Sequence, residues 1–586
     1  MRKRKVPQPD CRRPRPRAGK LARAGGQRLR SVKTGALPIL NRLLKRLRLQ
    51  EFLQEYLPPE DRRVKVPAAK ALLVLVRNLL VSREPLYGIG AWAAGYAPDL
   101  LGLRPQQLEG LHDDGVGRAL NGLFRSDEAG LVLAVVRHVV REFAVTLGQL
   151  HNDSTTITFH GNYTDAAEEG TRSGRTTLAI TWGHNKDHRP DLKQLLYILT
   201  LSDDGGVPVH FRTQSGNTVD DQTHQETWEL LCELAGRRDF LYVADSKLAT
   251  AENMAYLHQR GGRFITVLPQ TRGEDKAFRQ TLRQGPVSWR TIHEKTDEDD
   301  PEIVLDRFSV APTPAVTAEG YRLWWYHSTR KAELDAAARA SHLQRATRQL
   351  DALRQRLTSA RTRYRQRAKV AEAVEEIQRS CQVGEWVHVT IEERVEERYR
   401  QERKGRPGKD TRYVKEVTTR FDLSYHIDHG RIAQDQRCDG IFPLVTNVLE
   451  LSEVAVLLAY KRQPVIEKRF SQLKTDFEVA PVYLKAVHRI QALLCMYFFA
   501  LLAEALLERQ LRQAMRKEEI EALPMYPEGR ACRWPTARRV IDLFESMQRH
   551  ALEQRRQPTE VMVTELSRLQ RKLLKLLGLP AKDYGR

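Results

Sequence analysis

The chain is 586 residues long, 41% hydrophobic and 29% charged, enough for about three or four domains with cores of their own. A net charge of +22 and a pI near 9.8 point to an anionic partner, nucleic acid before a membrane surface or an acidic protein. The longest apolar run, Ile490 to Leu507, is broken by Gln491 and Glu504, and six scattered cysteines form no CxxC pair, so no membrane span, cysteine zinc site or disulfide framework is expected.

Residues 1–33 carry thirteen Lys/Arg against a single acid, Asp10, with four prolines among them. Such a segment buries no core, and a disordered tail that grazes DNA phosphates is expected. It is also too charged for a secretory signal. From Pro38 to Phe143 apolar residues repeat at three and four (Ile39, Leu40, Leu43, Leu44, Leu47), which predicts a helical region; Pro58-Pro59 ends its first helix. Asp113-Asp114 and Ser126-Asp127-Glu128 read as N-caps.

The period then changes. Strands are predicted around Asp153 (Leu147–Leu150, Thr155–Phe159), at Thr176–Trp182, Gln194–Leu201 and Pro208–Thr213, then a helix at Gln222–Leu234. A short apolar strand, Phe240–Ala244, ends on Asp245, and a helix (Thr250–Arg260) and a strand (Arg263–Leu268) complete the order β-β-β-α-β-α-β. From Leu343 to Tyr364 apolar residues alternate at three and four, the seam of a coiled coil, read as a helical hairpin or a dimer contact. Trp386–Ile391 and Tyr413–Ile427 read as long strands around a Lys/Arg/Gly loop, Arg403 to Lys409. Ile441–Val445 reads as a returning strand and Ser452 as the cap of a helix. Beyond 520 the chain reads as polar and helical.

The densest chemistry lies in Tyr460–Lys474. Glu467 stands seven residues after Tyr460 and seven before Lys474, so helical spacing puts a phenol, a carboxylate and an ammonium on one stripe. That combination suits a metal-bound phosphate: the acid holds the ion and its neighbours grip the nucleic-acid backbone. A charged amphipathic helix with Ile466, Phe470 and Leu473 inward explains the same residues without chemistry.

Taken together the motifs resemble an insertion-sequence transposase of the DDE class, insertion-sequence-four-like, in the branch with a Tyr-x2-Arg-x3-Glu-x6-Lys helix and an insertion before the third acid. The resemblance rests on Asn-Asp-Ser-Thr-Thr around Asp153, residues 183–192, Ser-Gly-Asn-Thr (215–218), Val-Ala-Asp-Ser (243–246), residues 439–447 and the Glu467 helix, in that order. It implies an α/β (α+β) fold with a ribonuclease-H-like mixed sheet. Asp153, Asp245 and Glu467 would be the catalytic and metal-holding acids, with two Mg²⁺ ions that Mn²⁺ replaces; Tyr460, Lys474, Arg462, Lys186 and Arg189 would contact DNA. The implied organisation is a basic tail (1–35), a helical DNA-binding region (36–145), a core in two parts (146–300 and 436–515) around an insertion (301–435; coiled coil 331–380, β-rich 384–428), and a helical C-terminal region (516–586). The partners implied are double-stranded DNA and a second copy in a synaptic dimer, with no membrane, in a prokaryotic cytoplasm. A catalytically silent DNA-binding relative and a coiled-coil adaptor are the alternatives.

Two departures from the motif bear on the site. Gln463 stands at the motif's Arg position, with Arg462 one residue early, and Pro464 cannot donate back to Tyr460, so the stripe is expected to kink and Glu467 to fall in a first turn. Asp187, Asp191, Asp220, Asp221 and Asp439 compete as acids but sit in turn-like surroundings. His426-x2-His429 lacks a third metal ligand, and Trp324, Trp325 and Trp386 read as core before base-stacking residues.

Overall fold

The computed structural model describes residues 27–586, apart from 62, 188, 219–222, 298–299, 313, 360–361, 478, 480–483, 555–556 and 585–586. Asp220, Asp221, Ala360 and most of the basic tail therefore lie outside the described residues. The fold is mixed α/β. The chain divides into two compact units, one of residues 1–146, 155–217 and 468–586, the other of residues 147–154 and 218–467.

Nine strands matter for the argument: β1 (Gln149–Phe159), β2 (Lys193–Ser202), β3 (Val207–Ser215), β4 (Leu241–Ala244), β5 (Arg263–Val267), β6 (Arg290–Thr296), β7 (Val304–Val310), β8 (Arg322–Ser328) and β9 (Ile441–Thr446). Strand β1 contributes residues to both units. In the first unit the order is β3-β2-β1, with β2 and β3 antiparallel and β2 buried along its whole length. In the second it is β1-β4-β5-β9-β8-β7-β6. Strands β1, β4 and β5 are parallel; β9, β8, β7 and β6 continue antiparallel. The unbroken apolar run of β4 follows from its place between two parallel neighbours, where both faces are covered.

The first unit is built on the helix Val487–Lys517, the one described helix long and apolar enough to cross a membrane, which is buried as a core helix. Helices Ala68–Val81 and Asp113–Arg125 pack on it. The front end is two helices, Leu37–Arg46 and Leu49–Tyr56, because Arg48 turns left-handed (φ 51°) between them. Asp127 is a cap as expected, its Oδ1 accepting from Gly130 N, whereas the other cap is His112, one residue before Asp113, its Nδ1 accepting from Gly115 N.

Three expectations are corrected. Thr176–Trp182 is not a sheet strand; only Arg175–Thr177 is extended, paired with Gly170–Arg172, and Thr181 makes one bridge to Gln194. The C-terminal region is not wholly helical, and the end of the basic tail is not without structure. Gln27–Lys33, Gln548–Gln554 and Gln557–Val563 form a three-stranded sheet, favoured by β-branched Val32, Thr559, Val561 and Val563. Finally, β6, β7 and β8 extend the sheet at positions that sequence periodicity left unassigned.

The coiled-coil seam is covered within the chain. Ala346, Leu350, Leu353 and Leu357 of helix Thr329–Thr358 form one cluster with Val370 and Val374 of helix Arg367–Cys381 and with Val387, Phe421 and Leu423 of a long β-hairpin. Helix Thr329–Thr358 starts where it does because Ser328 Oγ accepts from Lys331 N and donates to Asp306 Oδ1 (2.8 Å).

Candidate active site

All three acids singled out from sequence belong to the second unit. Strands β1 and β4 pair in parallel from Gln149↔Leu241 to Asn152↔Ala244. One residue further along each strand stand Asp153 and Asp245, on neighbours about 4.8 Å apart. Asp245 opens a turn: its Oδ1 accepts from Lys247 N (3.1 Å), and Thr266 Oγ1 donates to its carbonyl (2.7 Å). Asp153 and Asp245 are half-buried and Glu467 is exposed.

Side chains of β1 tie the turn before Glu467 to the strand that carries Asp153. Gln149, His151 and Asp153 alternate at period two and share one face of β1. The Gln149 amide donates to His151 Nε2 (2.8 Å) and to Ala459 O (3.1 Å), in the last turn of helix Glu453–Tyr460. His151 Nδ1 then donates to Gln463 Oε1 (3.0 Å), and Gln463 Nε2 donates to Asn152 O (3.3 Å). The amide partners fix this tautomer. Burial pushes the His151 pKa down to about 4, a shift that Gln463 opposes and Arg462 aids, so the ring is neutral. The helix Pro464–Ser471 begins directly after Gln463, with Pro464 at its first position and Glu467 in its first turn.

Tyr460 reports on the convergence. Its hydroxyl pKa is raised well above the ordinary phenol value, first by burial and then by the negative charges of Asp245, Asp153 and Glu467. One phenol thus lies in the field of all three carboxylates. It is a hydrogen-bond donor at any physiological pH and a poor source of phenolate.

These acids come from three different elements and offer only carboxylate oxygens, the donor type that hard divalent cations prefer. The residues fit such ions. Their ligand oxygens do not all fall within 4.8 Å of one another; among the described residues the one group that does is His112, Asp113 and Asp114, which is exposed and whose His112 caps a helix.

The remaining expected contacts are placed as follows. In the second unit Arg462 is exposed. In the first, Lys474 Nζ lies 2.6 Å from Asp187 Oδ1, in a π-helical turn, Gln472–Asp476, so the single helical stripe expected over Tyr460–Lys474 is divided into three pieces. Arg189 is exposed and holds Asp191 through both oxygens (2.8 and 2.7 Å), which lowers the Asp191 pKa to about 2; Lys186 is half-buried. Asp439 is held by Arg339. Trp324 and Trp325 are buried, Trp325 stacking on Phe278 at 4.0 Å, and Trp386 Nε1 donates to Asp435 (2.7 Å). Gln149 and His151 were not anticipated; their signal was a pair of polar residues at period two leading up to Asp153.

A family described as a domain of unknown function (DUF4277) matches residues 29–136. No curated protein matches the chain. Among solved structures, a piggyBac transposase synaptic complex with hairpin DNA is similar at 9% identity and a TM-score of 0.28, over 50% of this chain and 60% of that one. The chain thus spans less than two thirds of that structure's chain.

Proposed function

We propose that the protein is a DDE-class transposase of an insertion sequence, which cuts DNA at the terminal repeats of its element and joins the ends to target DNA. The observation that carries this reading is the convergence of Asp153, Asp245 and Glu467 on Tyr460. Strand connectivity supports it too: β3-β2-β1 in the first unit and β1-β4-β5 in the second is the order of a ribonuclease-H-like sheet, with an acid in the first strand and another at the tip of the fourth.

In this reading Asp153, Asp245 and Glu467 hold two Mg²⁺ ions, and Mn²⁺ substitutes. When bound there, such ions would supply Lewis-acid activation of a water or 3′-hydroxyl and charge stabilisation for the departing oxygen of a phosphodiester. The chain's own residues do the rest. Gln149, His151 and Gln463 fix β1 against the turn before Glu467. Tyr460 stays protonated and donates to a phosphate oxygen. His151 is bonded at both ring nitrogens, so it is not the base. Arg462, Lys186, Arg189 and Lys474 supply backbone contacts, Lys474 by exchanging Asp187 for a phosphate. Within the first unit a cavity of about 700 Å³, where Arg63, Lys65, Arg118, Arg125 and Arg172 outnumber Glu60, Asp61 and Glu109, gives the helical region a surface of net positive charge for the element ends. Pairing of two ends calls for two copies of the chain.

The test is cleavage of duplexes carrying the DNA that flanks the gene. Wild type is expected to cut them with Mg²⁺ and not with Ca²⁺. Asp153→Asn, Asp245→Asn and Glu467→Gln should each lower the rate by about 10³-fold or more, several kcal/mol of missing charge stabilisation, while still binding the duplex. Cleavage that survives Glu467→Gln refutes the assignment.

A further inference from the structure

The hairpin that closes the helical pair of the second unit is far longer than its anchor needs. Val387–Gln401 and Tyr413–Ile427 pair in unbroken antiparallel register over fifteen residues a side. Only the base is covered, through Val387, Phe421 and Leu423. From Glu392 to Val417 every residue except Gln401 and Thr411 is exposed, so both faces of the ribbon stand in water. A lone two-stranded ribbon is marginal by itself, and a chain that keeps one this long has a use for its surface.

Charge is sorted along the ribbon. Near the base acids and bases neutralise one another: Arg394 pairs with Asp422 (3.2 Å), Arg420 with Glu396 (3.3 Å) and Lys415 with Glu397 (2.6 Å). Between Arg398 and Lys415 there are eight Lys/Arg and two acids, a net +6. Among the described residues, Arg403, Lys404, Arg406 and Lys409 at the tip have no ion-pair partner. The two faces also differ. Val395, Tyr399, Tyr413 and Val417 share one face by the register, and all four are more than half exposed. The opposite face carries Arg394, Glu396, Arg398, Arg400, Glu416 and Arg420.

We propose that this hairpin is an arm that grips duplex DNA, its basic tip seated on the backbone and its Tyr399/Tyr413 face laid in a groove. The exposed run of the first strand, Glu392–Arg400, reaches about 30 Å, and a two-stranded ribbon fits the roughly 12 Å major groove. Excess cations at the end of a ribbon are complementary to phosphate and repel a second, identical tip, which favours DNA over another copy as occupant. The arm rests on the reading of DNA as substrate, and deepens it by assigning a binding element outside the acid cluster.

The experiment uses the full chain in EDTA, titrated against a fluorescein-labelled duplex of arbitrary sequence at several salt concentrations. Combined Arg403→Ala, Lys404→Ala, Arg406→Ala and Lys409→Ala should make the slope of log K against log salt shallower by about 3 to 4, at roughly 0.9 for each phosphate that the tip no longer neutralises. Tyr399→Ser with Tyr413→Ser should weaken binding at an unchanged slope. Both sets of changes lie on exposed positions, and an unshifted melt confirms the fold. An unchanged slope in the fourfold variant overturns the proposal, as does a fourfold variant that loses the wild type's self-association while binding DNA as the wild type does. A wild-type chain that cleaves end-bearing DNA while the fourfold variant keeps its slope sinks the arm alone. A shallower slope in a chain that never cleaves upholds the arm and sinks the cleavage reading.

Discussion

Gln463 occupies the position where the resembling motif has an arginine, and its contacts explain what the exchange does here. A guanidinium at 463 would put a buried cation against His151, whose surroundings already favour the neutral ring. The amide instead accepts from His151 and donates to Asn152 O, tying the turn before Glu467 to the strand that carries Asp153. Gln463→Ala leaves the His151 donor and the Asn152 carbonyl unsatisfied in a buried place. The expected cost is about 1–3 kcal/mol in chemical denaturation, with a fall in the rate of DNA cleavage larger than any change in duplex affinity. Gln463→Arg should be worse than Gln463→Ala in the same melt. A Gln463→Ala chain that melts and cleaves like wild type would remove the positioning role. Asp153, Asp245 and Glu467 could be singled out in the sequence because the motifs around them, in their order, resemble a known pattern. The network behind them was not, because it joins residues more than three hundred positions apart, which no local period encodes.

At the scale of elements, two motif glycines have a packing explanation. A Cβ at Gly183 would lie 1.9 Å from Gly216 O, and one at Gly216 would lie 2.2 Å from Gln194 O and 2.6 Å from Thr181 O. Backbones meet at the end of β3, and only glycine permits it. Gly216→Ala should destabilise the first unit by about 3 kcal/mol or more, read by urea denaturation; an unchanged midpoint contradicts the close approach. The strands of β1 to β5 were legible from composition and period. Strands β6 to β8 were not: β6 is largely polar and exposed, β7 starts on exposed Val304 and Leu305, and β8 is aromatic enough to read as helix or core alike. The seam was legible as helix from Leu343 to Leu357, while Tyr364 lies past the helix end at Thr358; its partner was not legible, since heptad spacing fits a second chain and a neighbouring helix equally.

At the scale of the whole molecule, buried histidines set the acid limit of stability. His151, His210 and His488 are each pushed down to about 4, first by burial. Above about pH 6.5 each ring is neutral folded and unfolded, and contributes nothing to pH dependence. Below it the unfolded chain binds protons that the folded chain refuses, so stability falls as pH drops from about 6.5 towards 4. Glu504 sets an opposite trend: buried beside Glu508 without a hydrogen-bond partner, its carboxyl is pushed up to about 8. It stays protonated in the fold while the unfolded chain releases its proton above about 4.5, so its effect is a decline in stability as pH rises from about 4.5 to 8. Melts across pH should therefore be steepest on the acid side, where three histidines act together. Glu504→Gln should flatten the limb between neutrality and pH 8. A variant whose melting temperature falls with pH as the wild type's does would contradict that assignment.

The central claim is that Asp153, Asp245 and Glu467 together hold divalent metal ions, and anomalous scattering from crystals of the whole chain grown with Mn²⁺ and a short duplex tests it most directly. The account predicts Mn²⁺ within ligand distance, about 2.0–2.2 Å, of Asp153 and Asp245 carboxylate oxygens, with Glu467 completing the set and the signal abolished in Asp245→Asn. Mn²⁺ found only at the exposed His112–Asp113–Asp114 group, or at no acid of the trio, would contradict it.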